Sequence, residues 1–332
     1  MRNRFSLKKY IFSTVAGALF LAGAGLTQTA SAETEYKSLR VMSYNVRHCS
    51  GLDDVVNIQR TGMVIRAQKP DVVAVQELDS CTTRSSKVYQ LKTLASYSRM
   101  SNYYFAKAIP YGGGAYGVGI MSKEPAKSIR KVPLPGTEAR VLLMVEFEDY
   151  VFACTHFDLT DSMRMNSVPI VREQMKRWNK PFIIAGDWND YPNSKFLTAL
   201  KQDLVTYNTA YTFPADKPTG CIDYIASYKP FPVVCDGSFV PENASESDHR
   251  PLVADLRIAL TTGIVTPENI ESKFVVKGRR LSFVGLTEQD KVSVHTLAGF
   301  AALPTSAPQD VVLTPGTYVV NVNGESCKVN VR

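Results

Sequence analysis

Eight polar side chains of the sequence are of the types that a metal-dependent hydrolysis requires. They are Asn45, Glu77, His156, Asp187, Asn189, Asp223, Asp248 and His249. Carboxylate and amide oxygens are the ligands that a hard divalent cation prefers. Attack of water on a phosphate ester further needs a group that accepts or orients a proton, and donors that stabilise the phosphoryl oxygens. The set contains all of these groups.

Two of the carboxylates directly follow short apolar runs. Glu77 follows Asp71–Gln76 (DVVAVQ), and Asp187 follows Ile183–Gly186 (IIAG). A carboxylate placed against a buried strand needs a hydrogen-bond partner or a metal ion, because burial of an unpaired charge is costly. Taken singly, each polar residue also has an ordinary interpretation as a turn residue, a solvated charge or a structural histidine. The repeated placement after apolar runs favours a functional site.

The apolar runs predict a mixed α/β architecture. Predicted strands cover Leu39–Val46, Asp71–Gln76, Tyr103–Ala108, Gly117–Ser122, Val141–Phe147, Tyr150–Thr155, Phe182–Ala185, Ile222–Ala226 and Leu252–Arg257, and predicted helices cover Ile58–Gln68, Tyr89–Tyr97 and Val168–Asn179. Because many strands are adjacent in the sequence, we expect mixed or antiparallel sheets packed face to face with helices outside. Polar residues at the strand ends would then meet at one rim, where a site can form.

The pattern changes near Thr261–Pro267 (TTGIVTP), beyond which helical periodicity is missing. Short predicted strands follow at Phe274–Val276, Arg280–Val284, Lys291–Thr296, Asp310–Leu313, Tyr318–Val322 and Ser326–Val331. Asn323-Gly324 between the last two is typical of a tight hairpin turn. The sequence therefore predicts an α/β domain over residues 33–260 and a small all-β sandwich domain over residues 265–332.

Residues 1–32 have the pattern of a secretory signal peptide. A basic N-terminus precedes the apolar run Tyr10–Leu26, and Ala30-Ser31-Ala32 supplies the small residues of a cleavage site. An uncleaved membrane anchor is the alternative, which the cleavage site disfavours. No later segment is long and apolar enough to span a bilayer. We therefore predict a secreted, periplasmic or cell-surface protein that keeps no stable transmembrane segment after signal cleavage.

The positive charge of the chain is concentrated in this leader. The full sequence has a formal net charge of +7, and the leader holds four basic and no acidic residues, so cleavage would leave +3. The remainder has no long run of Lys and Arg, which would be the footprint of a surface that binds polyanions. This balance slightly favours a small or lipid phosphate over a nucleic acid as the substrate.

Six cysteines follow the leader, and export would permit disulfides. No two of them have the Cys-x-x-Cys spacing that would indicate a zinc or redox site. Cys154 lies within an apolar run and is expected to be a buried thiol. Cys49 with Cys81, and Cys221 with Cys235, are candidate bridges, and six free thiols are the alternative.

Seven short segments, in this order, resemble the motifs of the endonuclease/exonuclease/phosphatase superfamily, which includes pancreatic-type deoxyribonuclease, AP endonucleases, neutral sphingomyelinases and inositol polyphosphate 5-phosphatases. They are Ser43–Val46 (SYNV), Pro70–Glu77 (PDVVAVQE), Tyr116–Ser122 (YGVGIMS), Thr155-His156 (TH), Gly186–Asn189 (GDWN), Ile222–Tyr224 (IDY) and Ser247–Pro251 (SDHRP). The resemblance covers roughly residues 39–258. It implies a four-layered α/β sandwich of the deoxyribonuclease I type.

The resemblance also implies ligands for a cation and for the substrate. Glu77 with Asn45 would hold Mg²⁺, with Mn²⁺ as an alternative, and Asp248 would belong to the metal shell. Mg²⁺ keeps several waters and takes only one or two carboxylates, which suits Glu77 as the main anchor. Asn45 would also contact the substrate. Arg140 would contact the phosphate, and its alternative is a solvated or ion-paired arginine.

Five further positions take catalytic roles from the resemblance. Asp187 would orient or activate the attacking water, and Asn189 would donate to the phosphate. His249, paired with Asp223, would contact a phosphoryl oxygen or take a proton. His156 would act beside the leaving group or the phosphate.

The sequence departs from the AP endonucleases at three places. Arg47 stands where those enzymes have an acidic residue, and they lack a histidine at the position of His156. The tyrosine of their Y-S-G motif would fall on Ala115, with Tyr116 one place late. These departures argue against cleavage at AP sites and favour the deoxyribonuclease-like, sphingomyelinase-like and phosphatase-like branches.

The C-terminal segment LTPGTYVVNVNGESCKVNVR is similar to the type IX secretion sorting domains of Bacteroidetes, and an accessory β-domain is the alternative. We therefore expect an exported, monomeric, Mg²⁺-dependent phosphohydrolase that cleaves a phosphodiester or phosphomonoester. Its partner would be a phosphate ester from a small molecule, a lipid headgroup or a nucleic acid. A secreted nuclease of deoxyribonuclease type, and a catalytically silent surface protein that binds a phosphoryl ligand or a glycan, are the alternatives.

Overall fold

A computed structural model describes residues 36–242, 245–260, 273–296, 299–323 and 325–331. The predicted signal peptide and the predicted boundary at residues 261–267 lie outside these ranges, and the division into two domains stays a prediction. No helix among the described residues is both long enough and apolar enough to cross a membrane.

Two six-stranded sheets form the larger part of the described chain. In spatial order, the first contains β11 (Val233–Phe239), β12 (Leu252–Ala259), β1 (Tyr36–Asn45), β2 (Val72–Ser80), β4 (Gly114–Ser122) and β3 (Asn102–Tyr111). The second contains β5 (Ser128–Leu134), β6 (Arg140–Glu146), β7 (Val151–His156), β8 (Phe182–Asp187), β10 (Asp223–Tyr228) and β9 (Leu204–Thr206). Strands β1 and β2 pair in parallel, as do β7 and β8, whereas the other neighbours are antiparallel. The expected mixed sheets are confirmed.

Among the described residues, four α-helices and a short 3-10 helix at Arg47–Cys49 accompany these sheets. The α-helices are α1 (Ile58–Gln68), α2 (Gln90–Ser98), α3 (Asp161–Met175) and α4 (Lys195–Leu200). Helix α1 has the predicted bounds because Asn57 accepts a hydrogen bond from the Arg60 amide as its N-cap, and Pro70 follows the left-handed Lys69. The predicted bounds of the third helix were wrong, since α3 begins seven residues earlier. The first turns of α3 are mainly polar, so the spacing of apolar residues that indicates a helix is not apparent there.

Alternation along the strands separates three buried clusters. In β6, Val141, Leu143 and Val145 face the first sheet, whereas Leu142 and Met144 face the helices on the other side. Residues of α3 and α4 pack with that outer face, and residues of α1 and α2 pack with the outer face of the first sheet. The helices thus lie outside two facing sheets, as an α/β sandwich requires.

The C-terminal residues form two antiparallel sheets. One contains β13 (Phe274–Lys277), β14 (Arg280–Phe283) and β17 (Val311–Val312), and the other contains β16 (Ala301–Ser306), β15 (Val292–Thr296), β18 (Gly316–Val322) and β19 (Glu325–Val331). Side chains from both sheets share one buried cluster. The predicted hairpin is present, because Val322 pairs with Glu325 and Asn323 has a φ of 53°.

The candidate disulfides are not formed. Cys49, Cys81, Cys154, Cys221 and Cys235 are free thiols. Cys154 is fully buried, as predicted, and donates to the carbonyl of Val75. Burial raises the pKa of the Cys49 and Cys154 thiols to about 12, so both are poor nucleophiles.

Candidate active site

Strand register brings three of the predicted site residues into one row. His156 ends β7 and pairs with Asp187 at the end of the parallel strand β8. Asp187 in turn pairs with Asp223 at the start of the antiparallel strand β10. Residues paired across neighbouring strands project to the same face of a sheet. The hydrogen-bond ladder therefore places one histidine and two carboxylates side by side.

Glu77 reaches the site from the other sheet through a bulge. We expected this residue at the end of a strand, but β2 continues to Ser80 after a register shift between Val75 and Leu78. Glu77 sits at that shift with a φ of 59°. A bulge adds one residue to a strand and turns its side chain out of the regular alternation. This local deformation aims the carboxylate at Asn45.

Asn45 connects the two sheets. Its Nδ2 donates to Glu77 Oε1 at 2.9 Å and to Asp187 Oδ2 at 3.1 Å. Its Oδ1 accepts from the Arg47 amide at 3.1 Å, and its main-chain carbonyl accepts from Ser247 Oγ at 2.7 Å. Every polar group of this buried side chain is therefore used, which fixes its rotamer and the separation of the two carboxylates.

His249 and Asp223 form the expected pair. His249 Nδ1 donates to Asp223 Oδ2 at 2.9 Å, and its Nε2 lies 3.6 Å from Asp187 Oδ2. The ring of Phe213 packs against the imidazole with centroids 4.7 Å apart. The imidazole is therefore held by a hydrogen bond at one end and by aromatic packing on its face.

His156 lies close to the same oxygen of Asp187. Its Nε2 lies 3.5 Å from Asp187 Oδ2, and its Nδ1 lies 3.3 Å from a guanidinium nitrogen of Arg140. Arg140 also pairs with Glu138 at 3.0 Å and is 8% exposed. The predicted contact of Arg140 with phosphate stays a prediction, and in this structure the guanidinium contacts other side chains of the protein.

The other two predicted residues lie at the edge of this group. Asn189 donates its amide N–H to Asp187 Oδ1 and its side-chain Nδ2 to the carbonyl of Phe157, each at 2.9 Å. Asp248 lies 3.8 Å from Arg47, and its carboxylate is 36% exposed. The structure thus brings Asn45, Glu77, His156, Asp187, Asp223 and His249 together and places Asn189 and Asp248 around them.

Burial governs the protonation of this group. Burial and the neighbouring charge of Asp223 raise the pKa of Asp187, and burial also raises the pKa of Glu77. Burial alone would lower the pKa of His249, but the carboxylates of Asp223 and Asp187 outweigh it and raise that pKa. Burial and the charge of Arg140 lower the pKa of His156 well below its usual range.

The carboxylates provide candidate ligands for a cation. Asp187, Asp223 and His249 each offer a ligand atom, and these atoms lie within 4.8 Å of one another. This trio differs from the predicted set of Asn45, Glu77 and Asp248. Asp223 Oδ1 is buried and has no hydrogen-bond partner among the described residues, so a cation would satisfy it. Carboxylate oxygens of this kind fit Mg²⁺.

Several supporting residues could not be identified from their types alone. Ser247 anchors Asn45 through its hydroxyl, and Phe213 packs on His249 although it is distant in sequence. Asp158 is buried two residues after His156 and accepts hydrogen bonds from Thr137 and Thr160. In the sequence, Ser247 lies within the segment Ser247–Pro251 and Asp158 lies two residues after His156, whereas Phe213 lies in none of the seven segments.

Comparison with solved structures shows the same fold. An endonuclease/exonuclease/phosphatase family protein from Bacteroides thetaiotaomicron is 18% identical with a TM-score of 0.59. The match covers 69% of this chain and 98% of that one. A protein from Beutenbergia cavernae is 20% identical with a TM-score of 0.54, covering 89% and 100%. A mannosyl-6-phosphatase from Bacteroides thetaiotaomicron is 18% identical with a TM-score of 0.55, covering 66% and 99%.

Comparison with curated protein sequences found no match. The sequence model of the endonuclease/exonuclease/phosphatase family, in contrast, matches residues 42–249, which include every predicted site residue. Members of this family are metal-dependent phosphoesterases, and the buried Asp/His cluster is consistent with a metal site. The chain belongs to the endonuclease/exonuclease/phosphatase family.

Proposed function

We propose that this protein is a Mg²⁺-dependent phosphohydrolase that cleaves a phosphate ester by water attack. The observation that carries the proposal is the convergence on Asp187 Oδ2 of Asn45 Nδ2 at 3.1 Å, His156 Nε2 at 3.5 Å and His249 Nε2 at 3.6 Å. A carboxylate that can accept a proton from water thus lies beside N–H groups that can donate to phosphoryl oxygens. The attacking water and the phosphate could therefore be bound next to each other here.

The residues divide into three roles in this proposal. Glu77 and Asn45, with Asp223 beside them, would hold Mg²⁺, which when bound supplies positive charge to the phosphoryl oxygens. Asp187 accepts the proton of the attacking water, because burial makes it a stronger base than an ordinary carboxylate. Histidine N–H groups stabilise the charge that develops on the phosphoryl oxygens.

A small phosphomonoester or a lipid phosphate is the proposed substrate class. The formal charge of +3 expected for the chain without its leader gives little attraction for a polyanion. The fold is shared with a protein described as a mannosyl-6-phosphatase, which makes sugar phosphates the first compounds to test.

A nuclease is the second candidate, supported by a separate observation. Tyr116 lines a small cavity with Arg140 and His156, and the guanidinium of Arg84 lies over the rings of Tyr116 and Tyr111 at 5.6 and 4.4 Å. Such a cation–π stack beside the site would also suit a nucleobase.

We further propose that the protein acts outside the cytoplasm, with residues 1–32 as its leader and residues 265–332 as its sorting segment. Expression of the full chain in a Bacteroidetes host, followed by N-terminal sequencing of the exported protein, tests the leader. A mature N-terminus after Ala32 is expected, and full-length protein confined to the cytoplasm would contradict export.

The catalytic assignment is tested with residues 33–332 on sugar phosphates, inositol phosphates, sphingomyelin, DNA and RNA. Hydrolysis is expected with Mg²⁺ or Mn²⁺ and is lost with EDTA. Glu77→Gln should lower kcat/KM by about 10²-fold or more, since it removes a carboxylate ligand. Glu148→Gln, at a surface carboxylate that is 72% exposed, is the matched control. Full activity of a folded Glu77→Gln variant would refute the assignment.

A further inference from the structure

We propose that Arg140 is a positioning residue that fixes the tautomer of His156, so that the imidazole carries its proton on Nε2 and presents it to the reacting phosphate. The inference rests on the proposed function only in placing His156 at the phosphate. The tautomer itself is inferred from the contact of 3.3 Å between a guanidinium nitrogen of Arg140 and His156 Nδ1, which does not depend on the proposed function.

The chemistry of the two groups determines the direction of this hydrogen bond. A guanidinium has five N–H donors, no acceptor, and does not deprotonate in proteins. Its nitrogen can therefore only donate to His156 Nδ1, which must keep its lone pair. A neutral imidazole without a proton on Nδ1 carries it on Nε2. Nε2 is the atom that lies 3.5 Å from Asp187 Oδ2.

Two carboxylates flank the Arg140 guanidinium, although its buried Nε has no hydrogen-bond partner among the described residues. Glu138 binds the guanidinium at 3.0 Å, and Asp158 lies 3.9 Å from its Nε. Asp158 also accepts from the amide and hydroxyl of Thr137, at 3.0 and 3.1 Å, and so ties down the turn that carries Glu138. A side chain at Gly136 in that turn would meet the carbonyl of Glu138 at 2.1 Å, so the turn is tight. The guanidinium is therefore buried between Glu138, Asp158 and His156.

The two histidines of the site consequently have opposite partners. His249 Nδ1 faces the carboxylate of Asp223, which can only accept, whereas His156 Nδ1 faces a guanidinium, which can only donate. A carboxylate partner supports a positively charged imidazole, and a guanidinium partner supports a neutral one. His156 therefore acts as a neutral hydrogen-bond donor to the phosphoryl or leaving-group oxygen, and His249 is the histidine suited to carry charge.

Nitrogen-15 NMR of histidine-labelled protein with Mg²⁺ present measures the tautomer directly. The resonance of His156, assigned with His156→Gln, is expected to show a protonated Nε2 and an unprotonated Nδ1. In Arg140→Met this pattern should change to a tautomer mixture or to protonated Nδ1. Arg140→Lys retains a donor and should restore the wild-type pattern, and Arg177→Met, at an exposed helix-end arginine, should leave it unchanged.

Kinetics provide the second readout. Arg140→Met should lower kcat by about 10- to 100-fold with little change in KM, the usual cost of removing a residue that orients a ligating or catalytic group. A rise in KM with an unchanged His156 spectrum would identify Arg140 as a direct phosphate ligand and overturn the inference. Wild-type His156 protonated on Nδ1 would also overturn it. If the wild type hydrolysed no substrate but the spectra changed as expected, the proposed function would fail and the positioning role would stand.

Discussion

Individual residues of the site depend on partners that hold them at fixed distances. Asn45 contacts carboxylates of both sheets, and its own carbonyl is held by the hydroxyl of Ser247 at 2.7 Å. In the segment that begins at Ser247, Asp248 and His249 are the predicted site residues, because carboxylates and imidazoles can bind metals or transfer protons. The sequence does not indicate the role of the serine, because its hydroxyl meets the Asn45 carbonyl only through the fold. Orientation of a ligand by an outer hydrogen bond is typical of metal sites.

Replacement of Ser247 by alanine tests this role. The buried carbonyl of Asn45 would lose its donor, which costs about 1–3 kcal/mol in the free energy of unfolding. Because Asn45 would be less firmly held, kcat should fall about tenfold. Chemical denaturation and steady-state kinetics measure the two effects, with Ser128→Ala at the surface as control. Unchanged kcat together with the expected loss of stability would limit Ser247 to a structural role.

At the scale of elements, the sequence predicted the buried strands and missed exposed ones. Strands β2, β7 and β8 are predicted because each begins with a run of apolar residues, and most of their residues are buried. Strands β5 and β11 are not predicted, since most of their residues are partly or fully exposed and lack alternation. The bulge at Glu77 was also missed, because a bulge depends on the pairing of β2 with β4 and has no local sequence signal here.

The end of β2 after the bulge is secured by a buried carboxylate. Asp79 accepts from Arg84 through two bonds at 2.8 and 2.9 Å, from Thr82 at 2.8 Å, and from Ser85. Burial opposes ionisation of Asp79, but these bonds outweigh it and lower its pKa. A carboxyl whose pKa is lower in the folded than in the unfolded state stabilises the fold above its unfolded pKa and loses that contribution as the pH falls through the folded value.

Asp79→Asn should therefore destabilise the protein at pH 7, by about 3 kcal/mol, because it leaves the Arg84 charge without its buried partner. The difference between variant and wild type should shrink as the pH is lowered from about 5 towards 2, where the wild-type carboxyl takes up a proton. Urea denaturation across this pH range measures it. Asp236→Asn, which disrupts a surface pair with Arg257, should have little effect at any pH. If the difference in the free energy of unfolding between variant and wild type stayed constant across this pH range, the lowered pKa of Asp79 would not contribute to stability.

On the scale of the whole molecule, each buried cluster of the described residues draws its members from one stretch of the chain. The three clusters of the α/β sandwich contain residues from Leu39 to Ile258, whereas the fourth contains residues from Phe274 to Val331. All predicted site residues lie in the first part. Helical periodicity stops where the second set of strands begins, and for this reason the sequence predicts a boundary there, but the division into two domains stays a prediction. The sequence does not specify the substrate, which depends on residues around the site that none of the seven segments identifies.

Deletion of residues 261–332 should therefore leave a folded, active enzyme. Each α/β cluster keeps all its members in such a truncation, so the α/β part should unfold in one cooperative transition with a Tm within a few degrees of that of residues 33–332. Its kcat/KM should stay within about twofold, since no predicted site residue is removed. Differential scanning calorimetry and the substrate panel with Mg²⁺ measure both. Loss of cooperative unfolding would show that the C-terminal sheets support the sandwich, and retained folding with lost activity would show that they contribute to substrate binding.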